Sequence, residues 1–447
     1  MKLISHLSAK TYVSFALFFL SFIIIFEYNF IALFLIFASI IHNHKLILLY
    51  ALILPTVETS AVLYPGITIS KIFYIFFIVH SFFILLPMIK KRKFYLSRFL
   101  RFSFFILIIN SIISVIHYPN SIDEVLVEIW FKNFPKIILF YLFLNYFCLK
   151  GKVFYENSLK YLMFIPFVIP LIYNNFTTNF QVFSWYNESD RKFLESADPN
   201  EYTILLVLLV PIIMYRMFKS NNIIFKSISA LSLVLILSIS FQTASKSGFL
   251  SYLIAFSLST YFLSKRKITT IMLVLVIGPL LFFLISNLLP DLLNFSSVLT
   301  RFTSSVVSGK GDLTSGRTEL WMSGLDGFMQ NPFFGNGGGI KTSIDFNYLN
   351  VGDDNVFHST FIQLLFHFGA FVFMAFIYYL FKITPSRTDL KKSISYTNVF
   401  FVCMITSLVA LFSLSWLWKE IFWIICSILI INKILYNENS TNHSFFS

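Results

Sequence analysis

Apolar runs of about 12 to 22 residues recur from one end of this chain to the other, parted by short polar or basic clusters, and most are long enough to cross a hydrocarbon core. The pattern predicts fourteen membrane-spanning helices, at 11–26, 30–41, 46–58, 68–89, 99–117, 132–149, 158–174, 201–218, 223–241, 248–263, 268–289, 359–381, 394–414 and 421–435. The second and third are short and flank His42-Asn43-His44-Lys45, so they read either as tilted helices or as one re-entrant pair. One polar stretch interrupts the pattern, residues 290–358, and a second and smaller one spans 175–200. A long loop between strong apolar spans is a functional unit or disordered, and the aromatic content of 290–358 favours the first. Within it a helix is expected from an N-cap at Ser315 to a stop at Asn331-Pro332. Leu320, Trp321, Gly324, Leu325, Phe328 and Met329 would form its apolar face, laid on the membrane surface or the top of the bundle.

Composition agrees with the spans. Of the 447 residues 57% are hydrophobic and 12% charged, which excludes a soluble globular protein. The expectation is an all-α integral membrane protein, a single polytopic domain over 1–447, with no internal repeat and with Tyr12–Phe26 retained as an anchor. The net charge of +13 would suit a nucleic-acid binder, but its distribution does not. With the N-terminus inside, 23 of the 34 Lys and Arg fall on the inner side and only 3 of the 21 acidic residues do. That asymmetry is the positive-inside signature, so the charge encodes topology and no nucleic-acid partner is expected. Both termini are then cytoplasmic and 290–358 lies outside. Cys148, Cys403 and Cys426 all fall in apolar spans without a CxxC spacing, so neither a disulfide nor a zinc site is supported.

The outer polar segments hold the candidate chemistry. Ser315-Gly316-Arg317 precedes Leu320-Trp321; then come Asn331-Pro332-Phe333-Phe334-Gly335-Asn336-Gly337 and His358-Ser359-Thr360-Phe361, which opens a span. Upstream stand Arg191, Asp198-Pro199-Asn200 and Gln242-Thr243-Ala244-Ser245-Lys246-Ser247-Gly248. In this order, from Arg191 to Leu414, the motifs resemble the superfamily of O-antigen polymerases and O-antigen ligases, polytopic membrane glycosyltransferases. Two positions depart from the family pattern: Lys246 stands where Arg is usual, and Asp198 where Asn is usual. The resemblance implies a GT-C-like fold, Lys246 and Arg317 at a pyrophosphate, His358 activating the acceptor, and no metal or cofactor. It implies further an undecaprenyl-pyrophosphate-linked oligosaccharide as partner, in the bacterial inner membrane, with a chain-length regulator as an additional partner.

The residues support such chemistry on their own terms. Glycosyl transfer at an outer face, where nucleotide sugars are absent, needs a donor carried by a membrane lipid. A polyprenyl pyrophosphate leaving group needs fixed cations, and Lys246, Arg317 and Arg191 are the candidates. Arg317 would sit at a helix N-terminus, itself favourable to an anion. An acceptor hydroxyl needs a base, and an imidazole, titrating near neutral pH, suits the task; His358 fits.

Plainer readings stand beside these. His358 could only cap the helix that starts there, Lys246 could snorkel to the interface, Arg317 could anchor to headgroups, and Arg191 with Lys192 could be a solvated pair. Asp353-Asp354 admits a metal site but more simply faces solvent. The run Gly335 to Gly339 lacks the strand and the GK[ST] of a phosphate loop, so it reads as a hinge or a turn that needs positive φ. Gln363 and His367, four apart, put a polar face on the span after the loop, for a substrate groove or for neighbouring helices. A surface-polysaccharide polymerase is the favoured function, a ligase to lipid A core the alternative, and a flippase a remote one, since a flippase needs pseudo-symmetric halves.

Overall fold

The computed structural model describes residues 9–25, 28–57, 62–64, 67–90, 98–117, 122–179, 199–243, 245–264, 317–338, 357–390, 395–414 and 419–436. These are almost wholly helical. The chain runs α1 (Ala9–Ile24), α2 (Asn29–His42), a 3-10 turn (His44–Leu46), α3 (Ile47–Ile53), α4 (Ile69–Lys90), α5 (Arg98–His117) and α6 (Ile122–Tyr161). It continues through α7 (Ile165–Asn179), α8 (Pro199–Val207), α9 (Val210–Lys219), α10 (Ile223–Gln242) and α11 (Lys246–Leu263). After 316 come α12 (Arg317–Gln330), α13 (Thr360–Ile383), α14 (Arg387–Leu390), α15 (Tyr396–Ser413) and α16 (Glu420–Tyr436). An antiparallel pair, β1 (Val62–Tyr64) with β2 (Ile67–Thr68), joins α3 to α4.

Among the described residues five helices are long and apolar enough to cross a membrane, or six if the bent pair Asn29–His42 and His44–Val57 counts as one span. With its apolar composition, this makes the chain a multi-pass membrane protein. The bend of that pair is 117°, as the short second and third apolar runs suggested. Asn43 makes the corner: its Oδ1 accepts from Lys45 N–H at 3.2 Å, and its Nδ2 donates to Tyr161 Oη at 2.7 Å. The predicted spans 132–149 and 158–174 lie in one apolar stretch, Phe134–Asn174, of 41 residues. At 1.5 Å per residue that is roughly 60 Å, about twice a hydrocarbon core, so it must hold two crossings. The break falls at Gly151, with φ 79 and ψ 173, a conformation all but reserved to glycine. Lys150 and Lys152 on either side keep the break polar. The predicted span 268–289 lies outside the described residues.

The chain divides into two compact units, 1–79 with 150–299 and 388–406, and 80–149 with 300–387 and 407–447. In the first unit Tyr50 is fully buried and hydrogen-bonds the hydroxyls of Ser39 at 2.7 Å and Ser21 at 3.4 Å. Arg216 closes the far end of α6: its Nη2 donates to the carbonyls of Leu159 at 2.6 Å and Lys160 at 3.0 Å, and also meets Tyr396 Oη. These are carbonyls that a helix end leaves without intrahelical donors.

In the second unit the peptide Asn331–Gly338 is built into α13. Gly369 breaks that helix with φ 72 and ψ −178. Carbonyls that the next turn would have used are thereby released. Phe366 O accepts from Asn336 N at 2.7 Å, His367 O accepts from Gly337 N at 3.0 Å, and Ala370 N donates to Pro332 O at 2.8 Å. The glycine run is a turn with positive φ at Gly335, Gly337 and Gly338, and its described part is buried. Asn336, with 0% exposure, bonds through both ends of its amide: Oδ1 accepts from Asn331 Nδ2 at 2.7 Å, and Nδ2 donates to Gly327 O at 2.9 Å. Asn110 and Ser114 of α5 hold the other side, through Asn110 Nδ2 to Gly338 O at 3.1 Å and Gly338 N to Ser114 Oγ at 2.6 Å.

Candidate functional site

The loop helix forms as expected, from Arg317 to Gln330, but with a different buried face. Met329, expected inside, is 69% exposed, whereas Gly327, not expected there, is buried. The contact is made by glycines. A Cβ on Gly324 would stand 2.4 Å from Ile362 Cγ2, and one on Gly327 would stand 2.4 Å from Phe366 Cε2. So α12 lies directly on α13, at a separation only residues without side chains allow. The periodicity placed Gly324 on this face but not Gly327, because it counts bulk and gives a glycine none.

Trp321, one turn into α12, donates its indole N–H to Phe357 O at 3.0 Å. Phe357 packs its ring on Phe366 at 5.0 Å. Arg317 is four residues before Trp321, about 6 Å along the axis, and His358 directly follows Phe357. The Trp321–Phe357 bond therefore ties the helix that Arg317 opens to the residue before His358. Arg317 is the first residue of α12, beside N–H groups without helical acceptors, where the helix dipole favours an anion.

His358 is half-buried with φ 47, the one positive φ outside glycine among the described residues. Such a backbone is uncommon, and held strain of this kind clusters at functional sites. The N-cap position of α13 is Ser359, whose side chain makes no capping hydrogen bond. The start of α13 is pinned from behind: Thr360 N and Oγ1 both donate to Leu414 O, at 3.2 and 2.9 Å.

Lys246 is the first residue of α11 in the first unit. The motif residues around it form its mount. Ser245 caps α11, its Oγ accepting from Gly248 N at 2.9 Å while donating to Asn200 Oδ1 at 2.7 Å. Thr203 and Thr243 share a hydrogen bond of 2.8 Å, and a Cβ on Gly248 would come within 2.3 Å of Thr203 Cγ2. The Pro-Asn start of α8 and the Thr-x-Ser segment before α11 are thus one assembly, which sequence order alone did not disclose. Arg191, Asp353 and Asp354 lie outside the described residues. Among the described residues no group of three or more His, Cys, Asp or Glu is placed to hold a metal ion.

A multi-pass membrane bundle that builds a polar loop into one of its own helices, with an arginine and a strained histidine beside it, is the class of protein this geometry defines. Residues 204–377 match the family model described as O-antigen ligase. The match takes in Lys246, α12, the glycine turn and His358, and begins just after Asn200 and Thr203 of the mount. Neither the curated proteins nor the solved structures contain a match to this chain.

Proposed function

We propose that this protein is a surface-polysaccharide polymerase of the bacterial inner membrane, a metal-independent glycosyltransferase with fourteen crossings and both termini in the cytoplasm. It transfers a glycan from undecaprenyl pyrophosphate to a sugar of another lipid-linked repeat unit, on the outer face. The acceptor hydroxyl oxygen attacks the anomeric carbon and His358 takes its proton. The bond from that carbon to the pyrophosphate breaks, and its electron pair leaves on the pyrophosphate oxygen. Arg317, Lys246 and Arg191 meet the growing negative charge there, Arg317 through a fork that suits two phosphate oxygens. What supports this reading is the Trp321–Phe357 hydrogen bond, which ties the helix that Arg317 opens to the residue before His358, together with the positive φ of His358.

The alternative is a ligase that delivers the glycan to lipid A core, favoured by the description of the matched family. A deletion strain separates the two. Loss of a polymerase leaves core capped by one repeat unit, because ligation of unpolymerised donor continues. Bare core, with long chains held on the polyprenyl carrier, would instead make the protein a ligase.

A further inference from the structure

The polar face that α13 presents after His358 has two members of very different standing. His367 is 1% exposed and is committed to the fold, its Nδ1 lying 2.7 Å from Gly337 O. Gln363, one turn nearer His358, is 3% exposed, yet neither Oε1 nor Nε2 meets a hydrogen-bond partner among the described residues. Asn336 in the same unit shows what a structural amide looks like here, with oxygen and nitrogen both bonded. A buried amide can donate twice and accept twice, and leaving all of that unmet in a membrane-embedded helix is costly, whereas leucine would fill similar space at no such cost. Unsatisfied buried groups of this kind call for a functional explanation.

We propose that Gln363 is a specificity-determining residue that hydrogen-bonds a neutral group of the acceptor sugar, a hydroxyl or an acylamino group. The assignment rests on the reading that His358 takes the acceptor's proton. Gln363 lies three residues beyond Thr360, where α13 begins, about 4.5 Å along the axis, so it stands one turn into the helix that His358 and Ser359 precede. Between Thr360 and His367 the helix carries no charged residue, so this stretch suits a neutral polar group better than the pyrophosphate. Neutral amides with their hydrogen bonds open are what carbohydrate hydroxyls pair with, and a site built to bond a hydroxyl discriminates strongly against its loss.

The test uses the purified full-length protein, with lipid-linked repeat units from the producing cells as saturating donor. The same repeat unit released from its lipid serves as the titrated acceptor. Gln363→Leu is expected to unfold at or above the wild-type temperature, since it removes an unmet amide, while its KM for the acceptor rises about ten- to a hundredfold. Gln363→Met, with the same chain length and no amide, is expected to do likewise and covers poor packing of leucine. A wild-type acceptor KM in either folded variant overturns the proposal. His358→Ala, run alongside, keeps the two claims apart. If it transfers normally, the reading of His358 as the base fails; if it is inactive while Gln363→Leu keeps its KM, only the assignment of Gln363 fails.

Discussion

Replacing His358 with alanine is expected to lower glycan transfer by about 10²- to 10⁴-fold, the usual contribution of a positioned general base, without lowering the amount of protein in the membrane. Abundance should hold because the start of α13 is tied to Leu414 through Thr360. Arg317→Ala is expected to cost about 10²- to 10³-fold, the scale of removing one preorganised donor from a developing anion. Arg317→Lys should recover little, since an ammonium cannot hold two phosphate oxygens in one plane. Initial rates of transfer, normalised to the protein present, decide both. A His358→Ala variant working at the wild-type rate removes it as the base, and an active Arg317→Lys removes the fork.

The second large effect is structural. Gly369→Ala is expected to destabilise the protein by about 3 kcal/mol or more and to reduce its abundance several-fold, judged by thermal unfolding in detergent and by membrane content. Two costs combine. The backbone at Gly369 has φ 72, which alone penalises a side chain by roughly 1–3 kcal/mol. A Cβ there would also stand 2.4 Å from Phe333 O and 2.6 Å from Gly335 N, both backbone atoms that cannot swing away. Gly151 is the built-in comparison, with φ 79 but nothing within 4 Å of its would-be Cβ. Gly151→Ala should therefore lose only the conformational part. Equal losses in the two variants would refute the close-approach account of the glycine turn.

The contrast between these two glycines also shows what could be read from the chain. Gly151 sits between Lys150 and Lys152 in a dip of the hydrophobic pattern, so two crossings were legible on either side of it. Gly369 sits inside a single predicted span with no break signal beside it, and the docking of Asn331–Gly338 on the helix explains its conformation. The same limit applies to α12. Its C-terminal end was legible from Asn331-Pro332 and Gly324 was placed on its apolar face, but Gly327 was not, because a glycine contributes closeness rather than bulk; the N-cap expected at Ser315 lies outside the described residues. His358 was legible as a titratable group at the mouth of a span, while its positive φ, between Phe357 held by Trp321 and Thr360 held by Leu414, was not. The mount of Lys246 needed contacts between segments some 45 residues apart, Asn200 with Ser245. Local patterning carries no record of such pairs.

Transfer by the isolated protein bears most directly on the central claim. Purified protein in liposomes, given only undecaprenyl-pyrophosphate-linked repeat units, is expected to build a ladder of longer glycans on the carrier. It should release undecaprenyl pyrophosphate in step with each added unit and be undiminished by EDTA. No ladder from these units, with transfer appearing only once lipid A core is added, or inhibition by EDTA that Mg²⁺ reverses, would contradict a metal-independent polymerase.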